Sequence, residues 1–227
     1  MNSEYIRLSE LVSLHNPDNK SSRFYNFWET FYELPERAQA FSLIENELSV
    51  LDDISWCFLK EEAKKLCVKS DDKRGWNQLF EKLNEAKGYC FLKLIGCSDI
   101  RFIPRETRSN IETPDLVGCK NTSQVLCEVK TINISDDLIS ARINISGMSA
   151  QNKLTAGLTN KLKSTITKAA SQLNTYSKSP DTEKYMYLVI AYDDDLDYRN
   201  ELNTQTRNLF NTTNLVGIDL VIHNEAQ

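Results

Sequence analysis

Histidine is nearly missing from this sequence: His15 and His223 are the only two, and none of the six cysteines (Cys57, Cys67, Cys90, Cys97, Cys119 and Cys127) belongs to a CxxC pair. A structural zinc or an iron–sulfur cluster depends on such ligand spacing, so neither is expected. The cysteines are also scattered through a mid-sized chain, which argues for free thiols and against a disulfide scaffold. Long apolar runs are absent too. Nothing approaches the roughly 20 residues of a membrane span, and the start carries Glu4, Arg7 and Glu10 where a signal peptide would be apolar. A cytoplasmic protein with no membrane partner is the expectation. Positive charge is also in deficit. The net charge of −5 argues against a surface coated in basic residues for indiscriminate nucleic-acid binding and leaves room for a local basic groove.

With 41% hydrophobic and 26% charged residues over 227 positions, the chain falls in the globular range. Residues 24–34 and 37–67 show apolar side chains at helical spacing, such as Phe41, Ile44, Leu48 and Leu51. They predict a helical N-terminal region over 1–72, closed by a loop at 70–75. A further helix is predicted over 76–95, stopping at Gly96. Segments 100–104, 113–117 and 124–132 have strand length, and the turn-type residues 118–123 suggest a hairpin between the last two. Leu154, Leu158, Leu162, Ile166, Ala169 and Leu173 recur on one stripe and predict a long helix over 154–176. Residues 185–192 read as a buried strand, 198–210 as a helix and 217–223 as a strand, while 135–149 carries the least pattern and reads as a mobile loop. The class is α/β, with residues 73–227 forming one domain whose sheet mixes antiparallel and crossover connections.

Within that order Asp115 follows Pro114 at the second predicted strand, and Glu128-Val129-Lys130 lies in the third, with twelve residues between Asp115 and Glu128. Residues two apart on a strand share a face, so Glu128 and Lys130 point together while Val129 turns into the opposite, apolar layer. A hairpin brings Asp115 beside Glu128. Two carboxylates that close repel each other unless a divalent cation neutralises them. Magnesium is the natural choice, with manganese as an alternative, because it takes oxygen ligands from one or two carboxylates and from substrate phosphate. Such a cation would acidify a water and stabilise charge on a scissile phosphate, and Lys130 would position or deprotonate the attacking water. A strand lysine beside two carboxylates is expected to add little to the core.

Read with their strands, these residues resemble the PD-(D/E)xK nuclease superfamily, whose restriction-endonuclease-like core is helix, three strands, helix, strand, here covering residues 76–192. The resemblance implies magnesium-dependent hydrolysis of phosphodiester bonds in nucleic acid, DNA by preference. Asp115, Glu128 and Lys130 would be catalytic, and Asp115, Glu128 and Val129 would hold the metal. An acidic residue on the first core helix is also implied; Glu85 fits, with Glu81 one turn earlier as a competitor. Gln172-Leu173-Asn174-Thr175-Tyr176 is similar to the Q-apolar-x-x-Y pattern of the RecB-like branch, and Glu128-Val129-Lys130-Thr131 to its ExKT form. Gln172 thereby joins the catalytic set, and Lys161, Lys168 and Tyr176 on the same helix become candidate nucleic-acid contacts. The iron–sulfur cysteines of that branch have no counterpart.

Plainer readings stand beside these. Pro-Asp also occurs at Pro17-Asp18 and Pro180-Asp181, and ExK at Glu62-Ala63-Lys64 and Glu85-Ala86-Lys87. Both of those ExK triplets fall in helical patterns, where residues two apart point about 200° apart and cannot line one site. Asp115, Glu128 and Lys130 could be solvent-facing charges on an ordinary hairpin, Lys161 and Lys168 solubilising side chains, and Glu85 a solvated helix residue; Asp193-Asp194-Asp195 suggests a second metal site but reads better as an acidic turn after a strand. Two other functions compete. One is a catalytically silent nucleic-acid-binding or scaffold module with the same fold; the other is an acidic interaction protein whose helical N-terminal region carries the function.

Overall fold

The computed structural model describes residues 4–14, 19–20, 22, 24–67, 76–104, 113–132, 153–190, 199–213 and 215–224. Among the described residues the elements run α1 (Ile6–Ser13), α2 (Phe27–Glu33), α3 (Pro35–Ser49), α4 (Asp53–Cys67), α5 (Asn77–Leu94), β1 (Ser98–Phe102), β2 (Leu116–Lys120), β3 (Ser123–Ile132), α6 (Ala156–Tyr176), β4 (Glu183–Ile190), α7 (Arg199–Thr212) and β5 (Asp219–Asn224). They form two compact units, residues 1–96 with 100–102, and residues 97–99 with 103–227.

The first unit is helical and built on aromatic side chains. Phe24, Phe27, Phe31 and Phe41 are all buried, and the rings of Phe27 and Phe41 meet edge to face with centroids 4.8 Å apart. The start of α1 has no capping side chain of its own. Buried Glu45 on α3 supplies one: its two carboxylate oxygens accept from the N–H groups of Arg7 and Leu8 at 3.1 and 2.7 Å, placing negative charge where the helix dipole favours it. Asp52 does the same for α4 through the Ser55 N–H at 2.7 Å. Helix α5 belongs with these helices. Lys87 on it pairs with Glu47 of α3 at 2.8 Å and the Tyr89 hydroxyl donates to Asp52 at 3.1 Å. The chain up to Gly96, α5 included, falls in the first unit together with Ile100–Phe102; the expected loop at 70–75 lies outside the described residues.

The strands form an open, mixed five-stranded sheet in the order β1-β2-β3-β4-β5; β2 to β5 lie wholly in the second unit, while Ile100–Phe102 of β1 count with the first. β2 and β3 pair antiparallel with Leu116 opposite Cys127, while β3, β4 and β5 run parallel with Glu128 opposite Met186 and Met186 opposite Leu220. Parallel neighbours need crossover connections, and α6 and α7 lie in those two connections in the chain. Leu162, Ile166, Ala169 and Leu173 of α6 share one core with Leu126 and Ile132 of β3 and Met186, Leu188 and Ile190 of β4. The helix-covered face of β3 is thus the even-numbered one, which also carries Glu128 and Lys130.

Several boundaries differ from the sequence reading. Residues 118–120 continue β2, so the hairpin turn shrinks to Asn121-Thr122, with Asn121 in the left-handed region at φ 54°. The helical pattern over 37–67 is two helices, α3 and α4, because the chain turns at Val50–Asp52. Helix α6 starts at Ala156 because the Thr155 side chain accepts from the Leu158 N–H and caps it there. The expected loop at 135–149, Asp193-Asp194-Asp195 and His15 lie outside the described residues. Among the described residues no helix is long and apolar enough to cross a membrane, and all six cysteines are free thiols.

Candidate active site

Pro114 has no N–H to give to a ladder, and the β2–β3 pairing ends at Leu116 opposite Cys127. Asp115 sits at that divergence, one residue before β2. Side chains replace the missing backbone bonds. The Asp115 N–H donates to Glu128 Oε2 at 3.1 Å, and the Val129 N–H donates to Asp115 Oδ2 at 2.9 Å, so each carboxylate binds the backbone of the other's strand. On the other side the Asp115 carbonyl accepts from the Ile103 N–H at 2.9 Å. The Lys130 ammonium donates to Glu128 Oε1 and closes the group.

Asp115, Glu128 and Lys130 are therefore brought together. The environment is graded: the Glu128 side chain is 1% exposed and that of Lys130 24%. Behind the group, burial pushes the Cys127 thiol well up, with the negative charge of Asp115 and then Glu128 adding to it, which fits two carboxylates close by. Lys130 is more than a surface charge. Its ammonium pairs with a carboxylate buried almost completely.

The donor set suits a hard divalent cation. The three side chains sum to −1, both carboxylates offer oxygen, and the Val129 side chain is apolar and buried. Val129 can contribute only its backbone. Its N–H points to the Asp115 edge, and a strand residue's carbonyl lies on the same edge as its N–H. Among the described residues no group of three or more His, Cys, Asp or Glu side chains is gathered as a metal site, so any ion here would lean on this main-chain oxygen and on substrate.

Gln172 is buried at the border of the apolar stripe of α6, and its Oε1 has no hydrogen-bond partner. Lys161 and Lys168 are on the exposed face of the same helix and Tyr176, 39% exposed, is at its end. Glu85 lies in the first unit on α5, only 6% exposed and ion-paired to Lys82 at 2.5 Å; it is not a solvated helix residue, whereas Glu81 is exposed. The sequence reading passed over Lys163, exposed on α6, and Lys184 on β4, whose ammonium donates to Asn174 at 2.9 Å. The signal was available: residues 153–178 hold five lysines and no carboxylate.

Compared with known proteins, the chain matches no family model, no curated protein and no solved structure.

Proposed function

We propose that this chain is a magnesium-dependent nuclease of the PD-(D/E)xK type, hydrolysing phosphodiester bonds, of DNA in preference to RNA. The observation that carries the reading is the interlocked group of Asp115, Glu128 and Lys130 at the end of the β2–β3 ladder. Two facts support it further. The element order from α5 to β4 is helix, three strands, helix, strand, the order of a restriction-endonuclease-like core. Gln172 keeps a buried oxygen without a partner on the helix that covers the same sheet face.

Asp115, Glu128 and the main-chain oxygen of Val129 would hold the cation, whose chemistry is to acidify a water and offset charge on the scissile phosphate. Glu128 is fixed by the Asp115 N–H and Lys130, so it is pre-oriented at no reorganisation cost when substrate arrives. Lys130 reaches from the buried carboxylate to solvent, where an attacking water and a phosphate oxygen must enter; its ammonium orients the water and balances negative charge. Lys161, Lys168 and Tyr176 would contact the nucleic acid outside the reacting group.

One observation favours a second reading, a catalytically silent module of the same fold: Glu128 is almost fully buried with a donor on each oxygen, as a purely structural clamp would be. A single experiment separates them. The full chain is incubated with labelled single- and double-stranded DNA and RNA in magnesium, manganese or chelator, beside Asp115→Asn, whose amide oxygen still accepts from Val129. Wild type is expected to cut DNA with either metal and not with chelator, and Asp115→Asn to melt like wild type without cutting. Binding without cleavage by wild type supports the silent module, and full cleavage by Asp115→Asn refutes the site.

A further inference from the structure

Helix α6 is chemically unlike the chain it belongs to. In a protein of net charge −5 it holds three lysines and no acid. Every exposed position from Asn160 to Thr175 is lysine, serine, threonine or asparagine. The placement is ordered as well. At 3.6 residues per turn, Lys161 and Lys168 fall within about 20° of each other, and Lys163 lies about 140–160° round the helix from them. Between the two rims runs a ridge that includes Ser164, Thr167 and Ser171, all exposed. Lys184 of β4 reaches the Lys163 side through Asn174, at 2.9 Å. The opposite side is committed to the core through Leu162, Ile166 and Leu173, each 0% exposed, so the helix has no apolar face left to lay in a membrane.

We propose that α6 is the substrate-recognition helix and that its ligand is a B-form DNA duplex, entered through the major groove. The inference rests on the nuclease reading and names its substrate. A helix with side chains is about 10–12 Å across, against a B-DNA major groove of about 12 Å. Lysines on both rims then meet the phosphates of the two flanking strands, and a small, neutral, hydrogen-bonding ridge faces the base edges. A-form RNA presents a major groove too deep and narrow for a helix. Single-strand binders need aromatic platforms for stacking, and Tyr176 is the only aromatic on this helix.

The test is fluorescence anisotropy on the full chain with chelator present, across a salt series. The probes are a mixed-sequence 20-base-pair DNA duplex, the matching RNA duplex, the single DNA strand, and phosphatidylserine vesicles by co-sedimentation. Wild type should prefer the DNA duplex. Lys163→Gln, and separately Lys161→Gln with Lys168→Gln, should lower the slope of log affinity against log salt by about 0.9 for each lysine removed. Ser171→Glu, at an exposed ridge position, should weaken duplex binding without changing the melting temperature. An unchanged slope, equal or tighter binding of RNA duplex, single strand or vesicles, or no binding at all overturns the inference. Duplex binding through these lysines without any cleavage sinks the nuclease reading and leaves this one standing; cleavage with lysine-independent binding does the reverse.

Discussion

At the scale of single residues, the site is a problem in compensating buried charge. Lys130→Ala removes the ammonium from a carboxylate that is 1% exposed. It should cost about 1–3 kcal/mol, below the roughly 3–5 of a fully buried pair because part of Lys130 reaches solvent. Urea unfolding of the variant measures this, and an unchanged midpoint would mean that Glu128 is held by other contacts. Gln172 poses the opposite case. Its Oε1 is buried without a partner, so Gln172→Met loses no hydrogen bond there and sheds a desolvated amide. Stability should be unchanged or higher by about 1 kcal/mol, while cleavage falls. A destabilised variant would assign Gln172 to packing. Pairing of Asp115 with Glu128 and Lys130 was legible because strand alternation and a hairpin fix which side chains meet. The reciprocal backbone bonds were not, since they depend on which residue ends the ladder: Pro114 marks an end nearby, but the register that stops pairing at Leu116 is not written in residue types.

At the scale of elements, type was easier to read than boundary. The α6 stripe from Leu158 to Leu173 gives a helix by periodicity alone, but its first turn is set by Thr155, one hydroxyl accepting from Leu158 at 3.2 Å. Thr155→Ala should cost about 1 kcal/mol, with wild-type helicity once folded, as read by denaturant titration and circular dichroism. No loss would mean that packing against β3 and β4 sets the helix start unaided. The hairpin shows why boundaries slip. Gly118 and Lys120 look like turn residues, yet Asn121 alone takes the left-handed conformation and the strands run to its edge. The place of α5 was hidden for a different reason: it joins the first unit through Lys87 and Tyr89, contacts about 40 residues away in sequence that no local pattern reports.

At the scale of the molecule, acid should act on the helical unit through named groups. The Lys60 ammonium, then the Trp56 indole, hold the Glu10 carboxyl below its ordinary range, and the Ser55 backbone N–H does the same for Asp52. Both carboxyls bind protons less firmly folded than unfolded. The stability they add is complete above the unfolded titration range and is lost as pH falls through the lowered values, below about pH 4. Unfolding free energy measured from pH 6 to pH 3 should decline at the acid end, and Glu10→Gln should flatten that decline; an identical slope would take Glu10 out of the account.

The interlock at the end of β2 and β3 has one more consequence. The amide hydrogens of Asp115 and Val129 are bound by carboxylates and not by a neighbouring strand. Anything that draws those carboxylates away must loosen both amides, and anything that fixes them must protect both. Deuterium uptake at these two positions therefore makes the site its own gauge of occupancy, independent of turnover: added magnesium should slow exchange at both Asp115 and Val129 and leave Leu126, deep in the ladder, unaffected.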